Sequence, residues 1–181
     1  MAFENLLTKR KIEKLAHQFY GDPTSISLES ISSQIPDVFI SYSHEDLAFV
    51  KDVIAFLFYA KGGLRAYADR LDATMNHEPN LDTASTIKKK ILSSQKVIFV
   101  ASYESLKSPW CNWELGLSDG LKDFNNVAIL SAKTNNGRWH KNEYLLRYPL
   151  ITFNEKSQSF EVVSQADGSK ATLIDWILNN K

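Results

Sequence analysis

Val97-Ile98-Phe99-Val100-Ala101 is apolar at every position. A strand with one wet face alternates apolar and polar residues, so an unbroken run reads as a strand covered on both faces. Asp37–Tyr42, with Val38-Phe39-Ile40 at its centre, reads the same way. Leu64–Asp69, Val127–Ala132 and Tyr148–Phe153 are further strands, and Phe160–Ser164 is a small extra one. Helical segments lie between them. Glu45–Lys61 carries Leu47, Val50, Ile54, Leu57 and Phe58 on one side and stops at Gly62-Gly63. His44-Glu45-Asp46 puts acidic charge at its start, which suits the helix dipole. Thr83–Ser94 is a second helix, and a third runs from Ser108-Pro109 to about Lys122, with Ser as N-cap and Pro at the first helical position. Ala171–Asn179 closes the chain as a helix. Strands alternating with helices through short connections predict an α/β fold with a central five-stranded parallel sheet. Right-handed crossovers leave the flavodoxin-like order 2-1-3-4-5 as the simplest arrangement.

Residues 1–35 read as a helical N-terminal extension, too short to build a core of its own, and 36–181 as the main domain. Phe3, Leu6, Leu7, Ile12, Leu15, Ala16 and Phe19 fall at mostly helical spacing over 3–20. The basic cluster Lys9, Arg10, Lys11 and Lys14 is read as a solvated face of that helix. Asp22-Pro23 breaks it, and Leu28, Ile31 and Ile35 suggest a short second helix ending at Pro36. The 21 Lys+Arg balance 21 Asp+Glu, which argues against an electrostatic nucleic-acid binder. The single cysteine, Cys111, excludes a disulfide framework and a Cys-rich zinc site. No apolar stretch approaches the roughly 18 residues of a membrane span, and 1–20 lacks a signal h-region, so a soluble cytoplasmic protein is expected.

Ligands of such sheets bind beyond the carboxyl ends of the strands, where strand order reverses. Here that is between the first and third strands, at Tyr42-Ser43-His44 and Ser102-Tyr103-Glu104. The helix after the third strand starts nearby. At about 100° per residue, Trp110, Trp113, Leu117 and Leu121 share one face, and Glu114 falls inside that stripe. A carboxylate among apolar residues is costly unless paired or raised in pKa. One reading is a structural Glu holding backbone groups or an Arg. The preferred reading is a Glu lining a pocket, because perturbed carboxylates concentrate at functional sites. Trp113 is read as core and Cys111 as packing.

Asp37-Val38-Phe39-Ile40-Ser41-Tyr42-Ser43 resembles the opening strand of the Toll/interleukin-1 receptor (TIR) domain. Ser108-Pro109-Trp110-Cys111-Asn112-Trp113-Glu114-Leu115-Gly116 resembles the family's Trp-Cys-x-x-Glu helix. Ala68-Asp69-Arg70-Leu71-Asp72 with Met75, followed by Thr83-Ala84, is similar to the second strand and following loop of bacterial members. The resemblance covers about 37–181 and implies a flavodoxin-like three-layer TIR fold. Many bacterial members cleave NAD+ between nicotinamide and ribose. It implies Glu114 as the catalytic residue, with Trp110, Tyr42, Ser43, His44, Asp69 and Tyr103 as candidate substrate contacts. NAD+ is then the substrate, and neither a resident cofactor nor a metal is implied. Some members of that group have arginines where this chain has Ser43 and His44. His44 reads equally as a plain helix-start residue, and Asp69 as a ribose contact or a loop organiser. The loop 70–82 resembles the family's self-association loop, which implies TIR–TIR assembly.

The residue types suit the chemistry. Nicotinamide is a cationic leaving group, and the ribose carbon becomes oxocarbenium-like as it departs. One carboxylate can bind ribose hydroxyls and stabilise that charge, and an indole can stack on the nicotinamide. Water attack gives ADP-ribose; attack from within the molecule gives a cyclic ADP-ribose. The expectation is an NAD+ glycohydrolase or ADP-ribosyl cyclase in Thoeris-like antiphage defence, signalling to a separate effector through a nucleotide. The alternatives are a non-catalytic TIR–TIR adaptor and a virulence factor depleting host NAD+. A receiver-type switch would need an acidic cluster at the strand ends, where this chain has Ser41-Tyr42-Ser43.

Overall fold

The computed structural model describes residues 7–20, 36–60, 64–69, 81–132 and 142–179. The expected second helix over 28–35, the Gly62-Gly63 stop and residues 70–80 of the self-association loop lie outside them. Within them are α1 (Lys9–Tyr20), β1 (Val38–Ser41), α2 (Leu47–Ala60), β2 (Ala66–Tyr67), α3 (Leu81–Ser93) and β3 (Lys96–Ala101). There follow α4 (Tyr103–Lys107), α5 (Pro109–Leu121), β4 (Val127–Ser131), β5 (Leu150–Asn154), β6 (Ser159–Val163), β7 (Lys170–Thr172) and α6 (Leu173–Leu178). The sheet order is β2-β1-β3-β4-β5-β6-β7. The first five strands are parallel in the expected order, and β6 and β7 extend the sheet antiparallel.

Side-chain alternation divides the core into two layers. Val38, Ile40, Ile98, Val100 and Leu130 point to one face, under α1, α2 and α6. Phe39, Val97, Phe99, Val127 and Ile129 point to the other, under α3 and α5. All of β1, β3 and β4 is buried, which is why these strands carry no polar alternation.

Capping accounts for the elements whose limits differ from the sequence reading. Ser102-Tyr103-Glu104 is not an open loop. Ser102 accepts from Ser105 N, Ser105 Oγ accepts from Ser102 N, and this reciprocal cap starts α4. The closing helix begins at Leu173 because Thr172 caps it through Asp175 N, which leaves Lys170–Thr172 extended and paired with β6. His44–Asp46 forms a 3-10 turn ahead of α2, not its first α-turn.

The N-terminal helix packs on the domain. Leu7, Ile12 and Leu15 are buried in the α2-side core. Its basic residues are only partly solvated: Lys9 pairs with Asp46, and Lys11 pairs with Glu155 and lies over the Phe153 ring. Arg10 and Lys14 are exposed. No described helix is long and apolar enough to cross a membrane.

Candidate active site

Helix α5 starts where the sequence places it. Ser108 Oγ accepts from Cys111 N at 3.2 Å, and Pro109 takes the first turn. This start fixes the helix phase, and with it the direction of Glu114. The Glu114 side chain enters the interface between α5 and the sheet, where the residue is only 2% exposed. There the Ser41 hydroxyl donates to Glu114 Oε2 at 2.5 Å. Ser41 is the last residue of β1 and has the parity of Phe39, so it faces α5. Sequence reasoning missed Ser41 as a site residue. The available signal was that parity: the one hydroxyl at the end of an apolar strand, on the side where the Glu-bearing helix packs.

Burial pushes the Glu114 carboxyl up to about 8. The Ser41 hydrogen bond opposes that rise, the negative charge of Asp69 adds to it, and a hydrogen bond from the Trp110 side chain opposes it again. Asp69, just beyond β2, is therefore close enough to act on Glu114. The structure thus brings together Glu114, Trp110 and Asp69 from the candidates, plus Ser41. A carboxyl pushed up to about 8 favours its protonated form at neutral pH, and a cation beside it favours ionisation.

The remaining candidates lie apart from this cluster. Tyr42 is buried in the core under α2, on the opposite sheet face from Glu114. Ser43 is buried at the flank of the 3-10 turn, and its carbonyl accepts from Asp46 N. The His44 side chain is 65% exposed, with Nε2 2.9 Å from Glu45 Oε1. Tyr103 is exposed at the start of α4, with Lys107 Nζ 3.6 Å from its ring centroid. Ser43, His44 and Tyr103 belong to the rim at the carboxyl ends of β1 and β3.

Two expectations on α5 are corrected. Trp113 is 38% exposed, not core, and leans on Trp110 with ring centroids 4.9 Å apart. The buried line of the helix is Cys111, Glu114, Leu115 and Ser118. Cys111 is packing, as its type suggested, but it lies at the centre of the inward face. Burial is the main cause that pushes its thiol up to about 12, which leaves it a poor nucleophile.

Residues 38–161 match the TIR domain family, from the first residue of β1 into β6. A protein of Bacillus cereus (strain MSX-D12), "Probable 3' cyclic ADP-D-ribose synthase ThsB'", is 28% identical over 124 residues. The match takes in 66% of this chain and 62% of that protein, so the chain spans less than two thirds of its relative's length. The five-stranded parallel core in the order 2-1-3-4-5, the buried Glu114 behind Trp110 and the family match over 38–161 agree, and the chain belongs to the TIR domain family.

Proposed function

We propose that this protein cleaves NAD+ at the bond between nicotinamide and ribose, with Glu114 as the catalytic residue. The carrying observation is a buried carboxyl at the switch point of the sheet, four residues after a half-buried indole. As the C1′–N bond breaks, its electron pair leaves with nicotinamide, which departs neutral. Positive charge moves onto the ribose carbon and ring oxygen. A carboxylate in a water-poor site stabilises that charge far better than one in bulk water. Trp110, adjacent on the helix surface, offers a flat face to the nicotinamide ring. Asp69 adds negative potential on the side of the second strand. Water attack at C1′, with loss of a proton, yields ADP-ribose; attack by a group of the same molecule yields a cyclic product. The likeness to a probable cyclic ADP-ribose synthase of Bacillus favours the cyclic product here, and the role we propose for it is Thoeris-like antiphage defence. In that setting the protein is cytoplasmic, assembles through TIR–TIR contacts and reaches a separate effector through the nucleotide.

The test is mass spectrometry of NAD+ incubated with purified protein, dilute and under conditions that drive assembly. NAD+ loss matched by nicotinamide is expected. A product one water lighter than ADP-ribose marks cyclisation, and chromatography separates the isomers. Intact NAD+ under both conditions overturns the proposal in favour of a non-catalytic adaptor.

A pH dependence follows from the raised Glu114 carboxyl. The ionised form acts, and the free protein holds it protonated below about 8. kcat/KM is expected to climb about tenfold per pH unit below that value and to level above it. The limb in kcat lies lower, because bound nicotinamide cation favours the carboxylate. Initial rates between about pH 6 and 9 check this; a flat kcat/KM would show that Glu114 is already ionised in the free protein.

A further inference from the structure

We propose that Ser41 is the positioning residue of this site: its hydroxyl, fixed at the end of a central strand, holds the Glu114 carboxylate in its working rotamer across the sheet–helix interface. The inference rests on the reading of Glu114 as the catalytic group and assigns a role that the family match does not carry.

The geometry supports it in three ways. Ser41 ends β1, whose first two residues pair with β2 and whose four residues all pair with β3, Ser41 directly opposite Phe99. A donor on a paired strand is held more rigidly than one on a loop. Its bond to Glu114 Oε2, at 2.5 Å, joins residues 73 apart in sequence. It therefore ties the helix that carries the carboxyl to the strand that ends at the ligand crevice. Finally, a glutamate has three side-chain torsions with several staggered arrangements open to it, so an anchored oxygen removes much of that freedom. A hydroxyl that donates to a carboxylate also favours the charged form, so one contact sets both direction and ionisation.

The buried polar groups near it separate this role from plain packing. Ser118, also fully buried and one turn beyond Glu114, donates to the Glu114 backbone carbonyl at 2.7 Å and does not touch the carboxylate. Ser118→Ala removes the same hydroxyl volume from the same interface.

The experiment compares wild type, Ser41→Ala, Ser41→Thr and Ser118→Ala by kcat, KM and the pH limb of kcat/KM. Alongside, the side-chain carboxyl of Glu114 is titrated by carbon NMR, with Glu114→Gln identifying its signal. Ser41→Ala is expected to lower kcat about 10- to 100-fold with little change in KM, and to move the limb and the NMR midpoint up by about one pH unit. Ser118→Ala is expected to leave both midpoints where they are. Ser41→Thr, which keeps the hydroxyl and suits a strand, is expected to restore the midpoints. If wild type cleaves NAD+, Glu114→Gln does not, and Ser41→Ala keeps the wild-type kcat and midpoint, the Ser41 role is overturned and the reading of Glu114 stands. Equal shifts in Ser41→Ala and Ser118→Ala also overturn it, since they reduce the effect to packing. If wild type and Glu114→Gln are alike in turnover, the reading of Glu114 fails, and the positioning role fails with it.

Discussion

Glu114→Gln is expected to lower NAD+ cleavage on the order of 10³-fold or more while leaving the fold intact. The substitution keeps the shape of the side chain and an oxygen that Ser41 can still donate to. It removes only the negative charge that the oxocarbenium-like ribose needs. Steady-state turnover with NAD+, measured beside circular dichroism, checks both halves. Turnover within a few-fold of wild type would remove Glu114 from the mechanism.

The same variant carries a second signature, in stability, with a definite sign. The Glu114 carboxyl is held at about 8 in the fold against 4.5 as the unperturbed value. Below about pH 4.5 both the folded and unfolded chains are protonated there, and the group costs nothing in buried charge. As pH rises, the unfolded chain gives up its proton first. Folding therefore loses stability through the window from about 4.5 to 8 and loses no more above it. Glutamine does not titrate. The unfolding free energy of Glu114→Gln relative to wild type, followed by thermal melts, is expected to rise across that window by an amount on the order of a few kcal/mol in all. A variant that is dead yet gains stability towards pH 8 marks a residue kept for chemistry at the expense of the fold. A difference constant across the window would mean that Glu114 ionises normally.

The strands are legible because burial on both faces leaves short, β-branched apolar runs such as Val97-Ile98-Phe99-Val100-Ala101, and crossover handedness makes the observed parallel order the simplest arrangement of them. The helix α5 was legible in extent but not in phase. Large apolar residues drew the inward stripe through Trp110, Trp113 and Leu117. The sheet instead receives Cys111, Leu115 and Ser118, with Glu114 at one margin. Trp113 then lies about 160° from Cys111 around the helix and meets solvent and the Trp110 ring. Periodicity gives the spacing of a stripe; the size of the residues that fit against a sheet decides which stripe it is. Glu114 was found because it is close to both stripes. Ser41 was missed because a serine at a strand end has no composition signal, and its partner lies 73 residues away. Tyr42 was misplaced for a related reason. Its neighbour faces Glu114, so by the two-residue period of a strand its own ring faces the other way and lies in the α2-side core.

The N-terminal helix carries the other large effect. We propose 36–181 as the TIR domain, with α1, through Ile12 and Leu15, completing its core. Ile12 is 3% exposed and faces α2 and the sheet. With Val53, Phe56, Ile98, Leu130 and Phe160 it lines a small apolar cavity. Ile12→Ala enlarges a void that is too apolar for water to fill usefully, so its cost adds a cavity to the lost burial, about 2–5 kcal/mol. For a domain of this size that is a fall in melting temperature of roughly 5–15 °C. Glu13→Ala, on the exposed side of the same helix, is expected to change stability by no more than about 0.5 kcal/mol. Thermal melts of the two variants beside wild type decide the matter, since a detachable appendage would leave Ile12→Ala as silent as Glu13→Ala. The start of α1 also reaches the ligand end of the sheet. The Leu7 carbonyl accepts from Ser131 at the end of β4, and Lys9 pairs with buried Asp46, which in turn accepts from Ser102 beyond β3. Lys9→Met strips that buried carboxylate of its cation and leaves it the Ser102 hydroxyl. It is expected to loosen the rim at His44–Asp46 and to raise the KM for NAD+ more than it lowers kcat, the reverse of the pattern expected for Ser41→Ala.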